Sequence, residues 1–154
     1  SAGDLASRAR DMARGIDLLR SVPPAARPAD DAQAARRRVV STGAEGDVPL
    51  RMYIDSFKQK IERNAALIGA QLGVARVRID PLVSVALRSD GSVEEVTILR
   101  SSGRADTDEA VRRIVRLNAR YSAFPPNVAA RYDVIEIRRI WSFAESLKLL
   151  EELR

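Results

Sequence analysis

The chain has 154 residues, of which 45% are hydrophobic and 31% are charged, and its formal net charge is +5 at pH 7. This length and composition are typical of a folded domain with an appendage, and the content of apolar residues is too high for a generally disordered chain. The sequence contains no cysteine and no histidine, which excludes disulfides, thiolate metal sites and most catalytic triads. We therefore expect a protein that is not an enzyme and that binds no cofactor or metal ion.

The sequence has no apolar run of the roughly 18 residues that a membrane span needs, and it has no signal-peptide pattern. The first residue is Ser1 rather than Met. We expect from this that the chain is a fragment of a longer protein, so that an anchor or targeting segment can lie outside it.

The positive charge comes from 23 Arg and 3 Lys set against 21 acidic residues. Such an excess of arginine favours nucleic acid or anionic lipid as a partner. However, the basic residues are spread along the sequence among acidic ones, and Arg36–Arg38 is the one compact cluster. We interpret them mainly as a solvated surface, and an Arg-rich nucleic-acid or anionic-surface binding module stays open as an alternative.

An amphipathic helix is predicted within residues 1–22. Its apolar stripe recurs at spacings of four and three residues, and two prolines at 23–24 end it. Residues 23–47 are rich in Ala, Arg, Pro and Asp and nearly lack large apolar side chains, which indicates a flexible linker. The folded domain is predicted over 48–154.

The domain begins with a predicted helix from about Asp47 to Gln71, because an acidic N-cap followed by an early proline favours a helix start. The pattern then changes to a period of two. Residues 82–88 and 93–100 are predicted strands, joined by a tight turn in which Asp90-Gly91 supplies a positive φ.

A second helix is predicted over Thr107–Ala119, with Asp106 or Thr107 as its cap. The segment 133–143 alternates strongly and is predicted as the last strand, and 145–153 as a short leucine-rich helix. The order helix, strand, strand, helix, strand predicts an α+β fold. It would have an antiparallel three-stranded sheet with helices packed on one face.

Two groups of residues could carry chemistry, and neither fits. Ser101–Arg104 precedes a helix but lacks the ending of a phosphate-binding loop, and the acids in the first helical turn repel phosphate. Glu94 and Glu95 are neighbours in a strand, so their carboxylates point to opposite faces. The predicted strands 82–88 and 93–100 contain no aromatic residue, whereas sheets that bind RNA stack bases on aromatic side chains.

Five motifs occur in a fixed order between about residues 50 and 143, and none of them is specific alone. They are Tyr53-x3-Phe57-x2-Lys60-Ile61-Glu62-Arg63, ALRSDGSVEEVTILRSSG, DEAVRRIV, Phe124-Pro125-Pro126 and DVIEIRRIWSF. Together they resemble the C-terminal domain of TonB-family energy transducers, to which a TolA domain is related. Family members commonly have an Asn-Tyr-Pro-like element where this chain has NAALIGAQLGVARVRID.

The resemblance implies a non-enzymatic periplasmic domain of a single-pass inner-membrane protein. A transmembrane helix missing from this chain would couple it to a proton-driven ExbB/ExbD-like motor. The domain would bind the TonB box, an N-terminal segment of an outer-membrane TonB-dependent transporter, and transmit force for transport. A TolA-like envelope assembly protein, pairing through helices 4–20 and 145–153, is a further alternative.

The resemblance also implies how the partner binds. The family accepts an extended peptide by strand addition at the open edge of its last strand. Charged side chains there also protect an open edge from pairing with a second copy. Formation of a homodimer is kept as an alternative. We expect proline at Ile137 or Arg138 to abolish peptide binding without unfolding the domain. The implied partner-binding residues are Val134, Ile135, Glu136, Ile137, Arg138, Arg139 and Ile140.

Overall fold

The structure is a computed structural model. It describes residues 3–4, 6, 37–72 and 77–152, and for residues 66–72 it describes the main chain only. The chain divides into two compact units, Ser1–Arg37 and Arg38–Arg154. Most of the predicted helix 1–22 and of the predicted linker 23–47 lies outside the described residues.

The described residues of the second unit form five strands and three helices, and the strands make one mixed sheet on which the helices pack. The strand order is β1-β4-β2-β3, and β5 pairs with β4 beside β1. The α+β class is therefore confirmed. In chain order the elements are β1 (Arg38–Ser41), α1 (Val48–Leu72), β2 (Leu82–Arg88), β3 (Val93–Arg100), α2 (Ala105–Leu117), α3 (Pro126–Ala129), β4 (Val134–Ser142) and β5 (Lys148–Glu151).

The prediction of an antiparallel three-stranded sheet is wrong, because two further strands, β1 and β5, belong to the sheet. β1 lies in the predicted linker and runs parallel to β4, while β5 lies where a helix was predicted over 145–153 and runs antiparallel to β4. Leu147 and Leu149 are both buried, and this spacing of two belongs to a strand. A run this short cannot be assigned to helix or strand from its apolar residues alone.

The core lies between the helices and one face of the sheet. Ile135, Ile137 and Trp141 of β4 are buried on this face, as the alternation predicts. Phe143 is half-buried and lies against Trp141, with 6.4 Å between ring centroids. Helices α1 and α2 contribute the opposing apolar side chains, which include Leu50, Ile54, Phe57, Ile61, Val111, Ile114 and Val115.

The loop before α2 is held by a carboxylate. The helix begins at Ala105, two residues before the predicted start, and its N-cap position, Arg104, makes no side-chain cap bond. Instead Asp108 reaches back and accepts hydrogen bonds from the backbone N and the hydroxyl of Ser102 (3.0 and 2.7 Å). The predicted caps are thus wrong, and the Asp108 carboxylate already accepts from the N–H and hydroxyl of Ser102, two donors that an anion in this loop could use.

The turn between β2 and β3 predicts a strong effect of one substitution. Gly91 has φ 85°, and a Cβ there would lie 2.1 Å from the carbonyl oxygen of Tyr121. We expect Gly91→Ala to lower the free energy of unfolding by about 2 kcal/mol or more, because backbone strain and a steric clash add.

The matched control is Gly103→Ala. Gly103 has a similar φ of 84°, but a Cβ there meets nothing within 4 Å. Urea denaturation of both variants should therefore separate the clash from the strain. Equal losses of stability would contradict the close approach of Tyr121 to the turn.

Candidate partner-binding edge

The strand β4 is paired along both of its sides. Val134–Ile140 pair with β2 on one side. On the other side β1 pairs with Val134–Ile137 and β5 pairs with Arg139–Ser142. The expectation that the last strand has an open edge is therefore wrong, because two short strands from distant parts of the chain fill that edge together.

All seven residues expected to bind the partner lie in β4, but their main-chain groups point in two directions. Trp141 N donates to Pro81 O (2.9 Å), and opposing residues of an antiparallel pair alternate between bonded and non-bonded positions. In this register Ile137 and Val85 form a bonded pair. The main chain of Ile137 thus faces β2, and that of Glu136 faces β1.

We call one edge of β4 the β1 site: it is the edge alongside Val134–Ile137 that β1 covers.

On the sheet face opposite the core, the side chain of Arg38 in β1 reaches Glu136 of β4 and Glu94 of β3. Its Nε and Nη2 donate to Oε1 of Glu136 (3.2 and 2.5 Å), and its Nη1 donates to Oε1 of Glu94 (2.8 Å). All three side chains are about a quarter exposed, so these pairs contribute little to stability.

On the core side, β1 is held by Arg139. This side chain is only 5% exposed. Its Nη1 donates to the carbonyl oxygen of Ser41 and its Nη2 to the hydroxyl of Ser41, both at 3.0 Å. The side chain that the sequence suggested as a guard of an exposed edge therefore binds β1 instead.

Glu45 completes this contact. Its Oε2 lies 3.9 Å from Nη2 of Arg139, and its Oε1 accepts a hydrogen bond from the Ser41 hydroxyl. Burial lowers the pKa of the Arg139 guanidinium, and the Glu45 carboxylate opposes that effect. Arg139, Ser41 and Glu45 thus form a polar cluster at the end of β1. Sequence reasoning missed it because 98 residues separate Ser41 from Arg139.

The strand β5 is held at its C-terminal end and from the helix layer. Leu149 N donates to Oε2 of Glu62 in α1 (2.7 Å). Glu152 N donates to Thr42 O (2.9 Å), and the Glu152 carboxylate accepts from Arg138 (2.9 Å). The outer side of β5 is thus partly covered by α1.

The opposite edge of the sheet is β3, which pairs only with β2 among the described residues. Arg88 N donates to Ser92 O, so the even-numbered residues of β2 face β3. In the observed register Glu95 and Thr97 therefore face β2. The main chain of Val96 and Ile98 faces outward, which makes β3 the edge where a strand could add without displacing another.

Other kinds of site find little support. The aromatic rings of Tyr53, Tyr121 and Trp141 are buried, which leaves them unable to stack on bases. Across 37–72 and 77–152, no three His, Cys, Asp or Glu residues are grouped so as to hold a metal ion. No helix in the described ranges is long and apolar enough to cross a bilayer.

Comparison with known families identifies one region. Residues 81–143 match the family model described as the Gram-negative bacterial TonB protein C-terminal. The matched region runs from β2 to the end of β4, so β1, α1 and β5 lie outside it. No match was found among curated proteins or among solved structures.

Proposed function

We propose that the chain passes energy to an outer-membrane transporter by binding an extended segment of it, because residues 81–143 match the model of the TonB C-terminal family. Domains of this family are periplasmic, non-enzymatic energy transducers that interact with outer-membrane TonB-dependent receptors. The energy would come from an inner-membrane ExbB/ExbD-like motor. The transporter segment would be the TonB box.

In this proposal the transporter segment replaces β1 at the β1 site and pairs with Val134–Ile137. The observation that carries it is the pairing of β1. This strand has only four residues, lies outside the region matched by the family, and occupies the edge where a strand-adding partner would bind.

Exchange requires the incoming segment to replace the contacts of β1, and the main-chain bonds and Arg38 ion pairs among them are individually weak. Each main-chain hydrogen bond contributes about 0.5–1.5 kcal/mol net, and the ion pairs of Arg38 are partly exposed. A segment of similar length that makes the same bonds can therefore compete. A reversible contact of this kind suits repeated cycles of binding and release.

The position of β1 in the chain also fits force transmission. Residues 1–37 come directly before β1, so tension applied through them reaches β1 before any other element of 38–154. Such tension would release β1 and free the β1 site for the transporter segment.

The test is the binding of labelled peptides by fluorescence anisotropy. The peptides are the N-terminal segments of the outer-membrane TonB-dependent transporters of the same bacterium. Val39 packs against the core from β1, so Val39→Asp should detach β1. We expect at least one peptide to bind the full chain, and to bind the Val39→Asp variant about tenfold or more tightly, because β1 no longer competes.

Val96→Pro is the matched control on the opposite edge, because it removes an outward-facing donor of β3 and should leave the affinity unchanged. We expect circular dichroism to show that both variants remain folded. Loss of binding in Val96→Pro, with no gain in Val39→Asp, would place the partner on β3. Absence of binding by every peptide would contradict the proposed function.

A further inference from the structure

Next to the β1 site lies a buried positive charge, Arg139, whose hydrogen-bonding partners outside β4 and whose ion-pair partner belong to the segment that would leave. Arg139 binds the carbonyl and the hydroxyl of Ser41 and lies 3.9 Å from Glu45. Its side chain also donates to a neighbour, from Nη1 to Arg138 O (2.7 Å). Within 37–72 and 77–152, the hydrogen bonds and the ion pair that this side chain makes outside β4 are thus those to Ser41 and Glu45.

Release of β1 would leave this guanidinium in a desolvated position. Glu151, Asp55 and Glu152 act on Arg139 only through space, and no hydrogen bond joins them to it. A buried charge that loses its partner is strongly destabilising. Whatever replaces β1 must therefore restore the lost contacts, or bind with a large penalty.

From this geometry we infer that Arg139 is a specificity-determining residue, which selects an extended peptide with a hydroxyl side chain and, four residues later, a carboxylate. The inference rests on the proposed function, because it describes the segment that replaces β1. The hydroxyl residue would lie opposite Ile137, where Ser41 lies now. The peptide would run parallel to β4, as β1 does.

Packing adds three further requirements. Ser41 is fully buried, so only a small hydroxyl residue fits there, and the residue two positions earlier must be apolar because Val39 contacts the core. A Cβ at Gly43 would lie 2.8 Å from the Cβ and Cγ of Glu151. That position therefore requires glycine. The partner segment thus carries an apolar residue, a small hydroxyl residue, a glycine and an acid at every second position, as Val39, Ser41, Gly43 and Glu45 do in this chain.

The probe is a labelled synthetic peptide with the sequence of residues 37–47, RRVVSTGAEGD, added to the full chain carrying Val39→Asp. Anisotropy measures its affinity and that of two altered peptides. Glu45→Gln in the peptide removes the carboxylate that approaches Arg139. Asp47→Asn removes an equal charge that instead contacts Arg131 and accepts from Leu50 N. The chain's own segment competes equally with every peptide, so the affinity ratios are unaffected.

We expect Glu45→Gln to weaken binding about tenfold or more, and Asp47→Asn to change it less than twofold. In a chain that also carries Arg139→Met the effect of Glu45→Gln should vanish, since a double-mutant cycle isolates the pair. This readout separates recognition of the peptide by Arg139 from a merely structural role of that residue. A change in the peptide also cannot affect the folding of the chain that binds it.

Each outcome decides the inference. Binding of the parent peptide with equal affinity for Glu45→Gln would overturn the selection by Arg139, while the exchange at the β1 site would stand. Equal weakening by Glu45→Gln and Asp47→Asn would show a general charge effect and would also overturn it. Failure of the parent peptide to bind at any concentration would overturn both the inference and the exchange of β1.

Discussion

Replacing Ile137 with proline is expected to unfold the domain, whereas Val96→Pro leaves it folded. Ile137 lies in β4, which has strands on both sides, and its main chain faces β2. Proline there removes a ladder hydrogen bond inside the sheet and leaves a buried acceptor unpaired, at a cost on the order of 3 kcal/mol or more. That is a large part of the 5–15 kcal/mol or so that stabilises a typical domain.

The two controls separate the causes. Val96 lies on the edge strand β3 with its N–H facing outward, where proline is tolerated. Ile137→Val keeps the donor and loses one methylene, which costs about 0.5–1.5 kcal/mol. Thermal unfolding followed by circular dichroism measures all three. A folded Ile137→Pro variant with an unchanged melting temperature would contradict the internal position of β4.

The expected unfolding of the Ile137→Pro variant replaces the prediction from the sequence, in which proline at Ile137 abolishes peptide binding and leaves the domain folded. That prediction followed from the resemblance to the TonB family, in which the last strand is an edge. The residues of β4 could be assigned from their alternation, but the number of strands beside it could not. Strand neighbours are set by pairing between distant segments, and a single sequence does not record that pairing.

The elements that were predicted well are those with strong local signals. β2 and β3 have many alternating apolar residues around Asp90-Gly91, and their observed bounds equal the predicted ones. α1 has a long apolar face and extends from Val48 to Leu72, close to the predicted helix. Here local pattern and final fold agree.

The elements that were missed are short and depend on distant contacts. β1 offers only Val39 and Val40 as apolar residues, next to a polar, arginine-rich segment. Its strand character comes from packing against β4, and from a bond between Ser41 and a residue 98 positions away. β5 similarly becomes a strand because β4 offers it a partner.

The same reason explains what could be predicted of the candidate site. The family resemblance selected Val134–Ile140 as the partner-binding segment, and that assignment stays a proposal. The residues that would decide what binds there, Ser41 and Glu45, lie in the predicted linker. The buried position of Arg139 had one signal in the sequence, a positive charge within an apolar alternation, and that signal does not name a partner.

The exchange of β1 for the transporter segment can be tested most directly with a reversible disulfide. The chain contains no cysteine, so a pair introduced at Val40 and Glu136 is the only thiol pair present. These residues are opposite each other in the β1–β4 register, and adjacent strands bring Cα atoms within disulfide range. A second pair at Ile140 and Leu150, which joins β4 to β5, is the control.

The measurement is the affinity of the tightest-binding transporter peptide for each variant before and after reduction. Oxidation of the Val40–Glu136 pair locks β1 in place, so we expect it to weaken binding by about a hundredfold or more, and reduction to restore it. Oxidation of the Ile140–Leu150 pair should leave binding unchanged. Equal affinity of the oxidised and reduced Val40–Glu136 variant would show that the transporter segment does not replace β1, and would contradict the account.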